Sequence, residues 1–242
     1  FKKFRAHGLL TKEGAKMSKS KGNVVNPDDY YKKYGADTLR MCLMFLGPFS
    51  EGGGWQDRGI AGTYRFLSKV WNLRSKVNYG LSIKDKELDR LVHKTIKKVT
   101  EDIENLRYNT AISSLMILAN EMEKSPKLQI INYKLLLLLL APFAPFITEE
   151  LWSRLQSNRG SSIKSGHRIG EKNSIHNQTW PKYNPRLIKE KIITLVIQVD
   201  GKIRDKIEVE AALSEEKARD IAIRRQKIKN WTKACIRWKG GS

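Results

Sequence analysis

Lys16-Met17-Ser18-Lys19-Ser20, followed by Lys21-Gly22-Asn23, sets two lysines three residues apart on a stretch punctuated by glycines at 8, 14 and 22. An ammonium group on a flexible four-carbon stem is a compact, mobile positive charge. A pair of them on a loop is suited to gathering the negative charge that builds on phosphate oxygens as pyrophosphate leaves ATP. The hydroxyls of Ser18 and Ser20 and the loop N–H groups can add donors to the same oxygens. The competing reading is a basic, solvated loop with no chemistry, which an arbitrary pair of lysines at this spacing usually is.

The elements around this stretch must position it. Residues 8–21 are polar and glycine-bounded, the composition of a mobile loop. Asn26-Pro27-Asp28-Asp29 reads as a helix start, with a capping side chain, proline at the first helical position and acids in the first turn. That helix should stop at Gly35, and Asp37 should cap a second one carrying Leu39, Leu43 and Leu46 up to Gly47-Pro48. After the Gly52-Gly53-Gly54 break, Ile60, Tyr64, Leu67, Val70, Trp71 and Leu73 recur at three-and-four spacing. Similar patterns over 88–106, 111–122 and 130–155 complete four long helices with short connections, which implies an antiparallel bundle. Trp71 and Trp152 fall in the apolar stripes and should pack in the core, whereas Trp55, after three glycines, reads as partly exposed. Residues 158–190 are a basic linker by composition. Residues 192–199 and 203–209 flank Asp200-Gly201, the signature of a two-residue hairpin turn, and Ser214 opens a capped helix. The ending CIRWKGGS starts like a third strand and stops in glycine, so the last module reads as incomplete. The expected organisation is mainly α, with segments 1–50, 51–157, 158–190 and 191–242, the last of them a small α+β module.

Charge narrows the partners. There are 46 Lys and Arg against 25 Asp and Glu, a formal net charge of +21, and that excess calls for an anionic partner. Arg58, Arg65, Lys69, Arg74 and Lys76 recur on the polar side of one helix, where they could track a phosphate backbone or simply face solvent. Lys202, Arg204 and Lys206 sit beside the hairpin turn, where the alternation of Leu195, Ile197 and Val199 leaves Arg204 and Lys206 free to face an anionic partner. More cations follow at Arg219, Arg224, Arg225, Lys227 and Lys229. Two distant cysteines, Cys42 and Cys235, can build neither a disulfide framework nor a four-thiolate zinc site. A reducing, cytoplasmic setting is the expectation. His93, His167 and His176 stand alone, and no protein-bound metal is expected. The longest apolar run, Leu135 to Pro145, is interrupted by prolines and reads as a buried helix, well short of the ~18–20 apolar residues that cross a bilayer. The chain begins Phe1-Lys2-Lys3-Phe4-Arg5 without a targeting pattern and is expected to be a piece of a longer protein.

Five ordered blocks, KMSKSKGNVVNP, KYGADTLRMCLMFLGPF, GIAGTYRFLSKVWNL, LLLLLLAPFAPFITEELW and VIQVDGKIRDKIEV, resemble the C-terminal part of bacterial-type leucyl-tRNA synthetases, of class I. The resemblance covers nearly the whole chain. It implies the end of a class I catalytic domain with its signature loop, then an anticodon-binding-type helical bundle, then a tRNA-binding module. It further implies Lys16 and Lys19 as catalytic residues, and Lys16, Met17, Ser18, Lys19 and Ser20 around ATP, with Mg2+ accompanying the nucleotide. Arg58, Arg65, Lys69, Lys202, Arg204 and Lys206 would hold tRNA-Leu, and the intact enzyme would be a monomer joining leucine to ATP and then to tRNA. The family's HIGH-type motif, nucleotide-binding sheet and editing domain would lie upstream of Phe1, so this chain alone is expected to be inactive. Isoleucyl, valyl and methionyl synthetases share the loop and the bundle, and a stand-alone RNA-binding protein is the alternative of another class. Phe146 replaces a residue that is usually His in the family and lies in a core-like run.

Overall fold

Gly52 brings two backbones together at a distance no side chain permits. Its φ is +76°, and a Cβ there would lie 2.2 Å from the carbonyl oxygen of Leu9. This contact lets β3 (Gly52–Trp55) run parallel to β1 (Leu9–Lys12), while β2 (Ala15–Lys16) folds back antiparallel on the other edge of β1. The stretch expected as a mobile loop is therefore partly a three-stranded sheet of order β2-β1-β3. Glu13 at φ 54° and Gly14 at φ 76° make the turn between its first two strands.

The computed structural model describes residues 2, 4–80, 85–157, 173–188, 192–210 and 213–229. They divide into two units, 1–188 and 189–242.

In the first unit, Asn26 accepts from the Asp28 N–H and opens α1 (Pro27–Tyr34), as its type predicts. Gly35, at φ 87°, ends α1 and also takes the capping position of α2 (Ala36–Phe45). Asp37 thus lies inside α2 rather than at its cap. Its buried carboxylate reaches another helix and accepts from the N–H groups of Phe146 at 3.3 Å and Ile147 at 2.7 Å.

The bundle consists of α3 (Asp57–Leu73), α4 (Lys86–Glu104), α5 (Tyr108–Lys124), α6 (Ile130–Leu140) and α7 (Pro145–Ser157). The single helix expected over 130–155 is two, because proline lacks an N–H and clashes with the preceding turn. Leu140 ends α6 by accepting from the Phe143 and Ala144 N–H groups. Val70, Ile96, Ile112, Leu115, Leu136, Leu140 and Leu151 share one core. Tyr133 is wholly buried, with its hydroxyl donating to the Val70 carbonyl at 2.9 Å, and burial pushes its pKa up. Trp152 is buried as expected; Trp71 is half-buried, with the Arg154 guanidinium 4.7 Å above its ring. Phe146, expected in the core, is 70% exposed, because the first turn of α7 is held by Asp37 from one side and leaves the ring outside.

Part of the expected linker is packed structure. Ile175 is buried in the bundle core, and Ser174 Oγ and the Ile175 N–H donate to Glu149. Trp152 Nε1 donates to the Asn173 carbonyl, and Trp180 Nε1 donates to Thr100 Oγ1 at 2.9 Å. The segment ends in α8 (Pro185–Ile188), which lies against α4. Residues 158–172, including His167, lie outside the described residues.

In the second unit, β4 (Ile192–Val199) and β5 (Lys202–Glu210) form the hairpin that Asp200-Gly201 predicts, both turn residues having positive φ. Ile197 faces Asp205 and Gln198 faces Ile203, so Arg204 falls at a one-residue shift in register. Beyond the shift the alternation inverts, which puts Ile203 outside at 56% exposure. Ile197, Val199 and Ile207 pack with Ala222 of α9 (Glu215–Arg224) and Ile228 of α10 (Gln226–Lys229). Ser214 caps α9. The strand expected near the end, with Cys235, lies outside the described residues.

Candidate functional site

Lys16 closes β2, and its side chain is exposed. Met17 turns the other way, into a small apolar cluster built on Cys42, Trp55 and Ile60, and thereby anchors the loop. Ser18 then precedes a 3-10 turn, Lys19–Lys21, which Gly22 ends at φ 66°. Ser18 Oγ and Ser20 Oγ are 2.7 Å apart. Asn23 lies beneath the loop: its Oδ1 accepts from the Ser18 N–H at 2.8 Å and its Nδ2 donates to the Lys16 carbonyl at 3.2 Å. Lys16, Lys19 and Lys21 project into solvent, and none is ion-paired among the described residues.

The seat of the loop is polar as well as apolar. Trp55 is 5% exposed, which corrects the expectation of an exposed contact; the parallel pairing of β3 with β1 turns the ring inward. Its Nε1 donates to Asp57 Oδ1 at 2.9 Å, and Tyr30 donates to the same oxygen at 2.6 Å. The two rings meet edge to face, 4.8 Å apart. The Tyr30 hydrogen bond, with that from Trp55, holds the Asp57 carboxyl below the usual carboxylate range, and the same bond pushes the Tyr30 hydroxyl up. Asp57 is the first residue of α3, so this acid joins α1, β3 and the helix that carries the basic stripe. Sequence reasoning missed Asn23, Tyr30 and Asp57. An aromatic residue two positions before a helix-opening Asp was the available signal.

The expected phosphate-tracking residues divide. Arg58 and Arg65 of α3 are exposed. Lys69 instead sits 2.6 Å from Glu123 Oε2 and donates to Asn120 Oδ1 at 2.7 Å, and Lys76 donates to the Glu123 carbonyl, so the later part of the stripe is tied to α5. In the second unit Lys202 and Lys206 are exposed, whereas Arg204 is half-buried at the register shift. Asp205 is buried, accepts from Arg225 Nε at 3.0 Å and lies 3.6 Å from Lys227 Nζ. The Arg225 hydrogen bond holds its carboxyl below the ordinary range. His93 Nδ1 accepts from the Asn184 N–H, and burial lowers its pKa. Among the described residues no cluster of three His, Cys, Asp or Glu side chains could hold a metal ion, and no helix is long and apolar enough to cross a membrane.

Two family models match the chain. The model for class I tRNA synthetases (I, L, M and V) covers residues 1–52, the lysine loop with β1, β2, α1 and α2. The model for the anticodon-binding domain of tRNA ligase covers residues 85–219, more than half of the chain. The chain belongs to the anticodon-binding-domain family of tRNA ligases. Family membership thus coincides with the bundle from α4 onward, the packed segment 173–188 and the hairpin. A leucine–tRNA ligase of Dehalococcoides mccartyi is 40% identical over 239 residues, which are 95% of this chain and 28% of that protein. One from Borrelia turicatae is 46% identical over 215 residues, 88% of this chain and 24% of that protein. The chain therefore spans about a quarter of the length of the curated relatives it matches. A crystal structure of a LeuRS–tRNA–LeuAMS ternary complex from Agrobacterium radiobacter is similar, with a TM-score of 0.70 and 28% identity, over 94% of this chain and 30% of that one.

Proposed function

We propose that this chain is the part of a leucine–tRNA ligase that carries the lysine side of the ATP site and the helices that hold tRNA-Leu. The observation that carries the reading is the exposed pair Lys16 and Lys19 on an anchored, glycine-bounded loop, in a chain 40–46% identical to leucine–tRNA ligases. In the first step a leucine carboxylate oxygen attacks the α-phosphorus of ATP, and pyrophosphate leaves with the bonding electron pair. Lys16 and Lys19 donate to the β- and γ-phosphate oxygens on which that charge grows, with the Ser18 and Ser20 hydroxyls beside them. Met17 serves as the anchor rather than as a contact to the nucleotide. Mg2+ would enter with the ATP phosphates, whose oxygens would hold it while Lys16 and Lys19 share the remaining charge. In the second step leucine passes to the terminal ribose of tRNA and AMP leaves. Arg58, Arg65, Lys202 and Lys206 contact the phosphates of that RNA, while Lys69 and Arg204 support the surfaces around them. The working divisions of the chain are 1–50, 51–157 together with the packed segment 173–188, and 191–242, in a monomer of the cytoplasm.

Leucine-dependent exchange of pyrophosphate into ATP by the intact protein tests this reading. Exchange with leucine and not with isoleucine, valine or methionine is expected, and the chain by itself should show none because the amino-acid pocket is elsewhere. Lys19→Ala should lose about 2–4 kcal/mol of transition-state stabilisation with leucine binding little changed, and Lys16→Ala should fall in the same direction. Near-normal exchange by both variants would remove the loop from the chemistry.

A further inference from the structure

One side chain binds the backbone on either side of Met17, between the two lysines, from the far end of the loop that carries them. We propose that Asn23 is the positioning residue of this loop, a role that rests on the ligase reading above. Its amide accepts from the Ser18 N–H at 2.8 Å and donates to the Lys16 carbonyl at 3.2 Å, five and seven residues back along the chain. An unbroken run from Lys16 to Gly22 is thus closed into a ring by a single group that is itself half-buried.

The chemistry asks for asparagine. The position needs an acceptor and a donor from the same short side chain: aspartate supplies only acceptors at neutral pH, an aliphatic residue supplies neither, and a hydroxyl is too short to meet both partners. The backbone is shaped to bring the amide there. Gly22 at φ 66° reverses the chain after the 3-10 turn, and its N–H donates to the Lys19 carbonyl at 3.2 Å. Met17 pins the opposite side of the ring to the Cys42, Trp55 and Ile60 cluster. The lysine side chains themselves stay exposed.

That division of labour has a kinetic meaning. A lysine on a fixed backbone reaches one volume of space, whereas the same lysine on a loose loop reaches many and spends less time where phosphate charge develops. Loss of the clamp should therefore fall on the rate of adenylate formation and leave leucine binding nearly untouched.

Asn23→Ala and Asn23→Asp in the intact protein test this with two independent readouts, leucine-dependent ATP–pyrophosphate exchange and the rate of tryptic cleavage after Lys16, Lys19 or Lys21. Asn23→Ala should lower the kcat of exchange by about 10–100-fold while the KM for leucine stays within about twofold. Loop cleavage should quicken by about tenfold, with an unchanged thermal midpoint. Asn23→Asp keeps the bond to Ser18, loses the one to Lys16, and should fall between wild type and alanine in both readouts. Unchanged cleavage would mean that no clamp exists. Faster cleavage with unchanged kcat would mean that the clamp does not position the lysines. A rise in leucine KM together with a lower thermal midpoint would make the residue merely structural; each of these results overturns the proposal. Absence of leucine-dependent exchange in the wild-type protein would bring down the ligase reading and this role with it, and the cleavage rates would then locate the failure in the reading and not in the ring.

Discussion

Asp37 shows how one side chain can serve an element far from it in sequence. It sits in α2, yet its carboxylate satisfies two N–H groups at the start of α7, the position where helices gain most from an acceptor. Burial pushes its pKa up, and the bonds from Ile147 and Phe146 only partly offset that. A carboxyl whose folded pKa lies above its unfolded value binds its proton more tightly when folded, so the wild-type fold loses stability as pH rises through the ordinary carboxylate range near about 4. An asparagine side chain at this position would keep an acceptor without the charge. Asp37→Asn should therefore gain stability relative to wild type as pH rises from about 3 to about 6 in thermal melts. Asp37→Ala should cost about 0.5–2 kcal/mol at low pH, the usual loss of a helix cap, and the cost should shrink as pH rises through the same range. A melting difference between Asp37→Asn and wild type that stays flat across that range would mean the carboxyl is not destabilised by its burial. Lys69 makes a related point about charge. Tied to Glu123 and Asn120, it has less to give an RNA phosphate than Arg65 does, so Arg65→Ala should weaken tRNA binding more than Lys69→Ala in a filter-binding titration.

At the scale of elements, the small sheet β2-β1-β3 decides where the lysine loop sits. Gly52→Ala should disrupt it, because the new Cβ would meet the Leu9 backbone in a conformation that side chains rarely adopt; a loss of at least about 2 kcal/mol in denaturant unfolding is expected. Gly14→Ala, strained in φ but with open space around it, should cost less. The sheet was not legible beforehand, since Gly52-Gly53-Gly54 carries no strand propensity and reads as a break. Its pairing depends on a close approach that only the folded backbone reveals. By contrast, α1, α3, α4, α5, the hairpin turn and the cap of α9 could be read in advance, because caps, apolar spacing and Asp200-Gly201 are local signals. The split of 130–155 lies in Pro142 and Pro145, which override the helical spacing of the leucines around them. For the site, the lysines were legible by type and spacing. Asn23 and Tyr30 were not, because polar residues separated in sequence declare a shared role only when the chain brings them together; only Trp55, two positions before Asp57, gave a local signal.

For the whole molecule the excess of 46 basic over 25 acidic residues is the dominant fact, and under the proposed function it would make tRNA affinity a matter of salt. Lys206→Ala should reduce the salt dependence of tRNA binding by about one unit of slope, as loss of one phosphate contact does. Arg204→Ala should act mainly on the stability of the hairpin, because that side chain is half-buried at the register shift. Equal losses of slope from both variants, with the hairpin intact, would show that the shift does not withdraw Arg204 from the RNA. The packed segment 173–188 has a consequence of another kind, in the order of events on the ribosome. All five long helices of the bundle are complete once residue 157 has been made, but Ile175 belongs to their core and Trp180 reaches back to Thr100. Synthesis of residues 158–180 takes on the order of 1–5 s. Through that interval the nascent bundle keeps an open apolar seam beside Trp152, with the indole N–H and the Glu149 carboxylate still waiting for Asn173, Ser174 and Ile175. The last piece to arrive is the one that seals it.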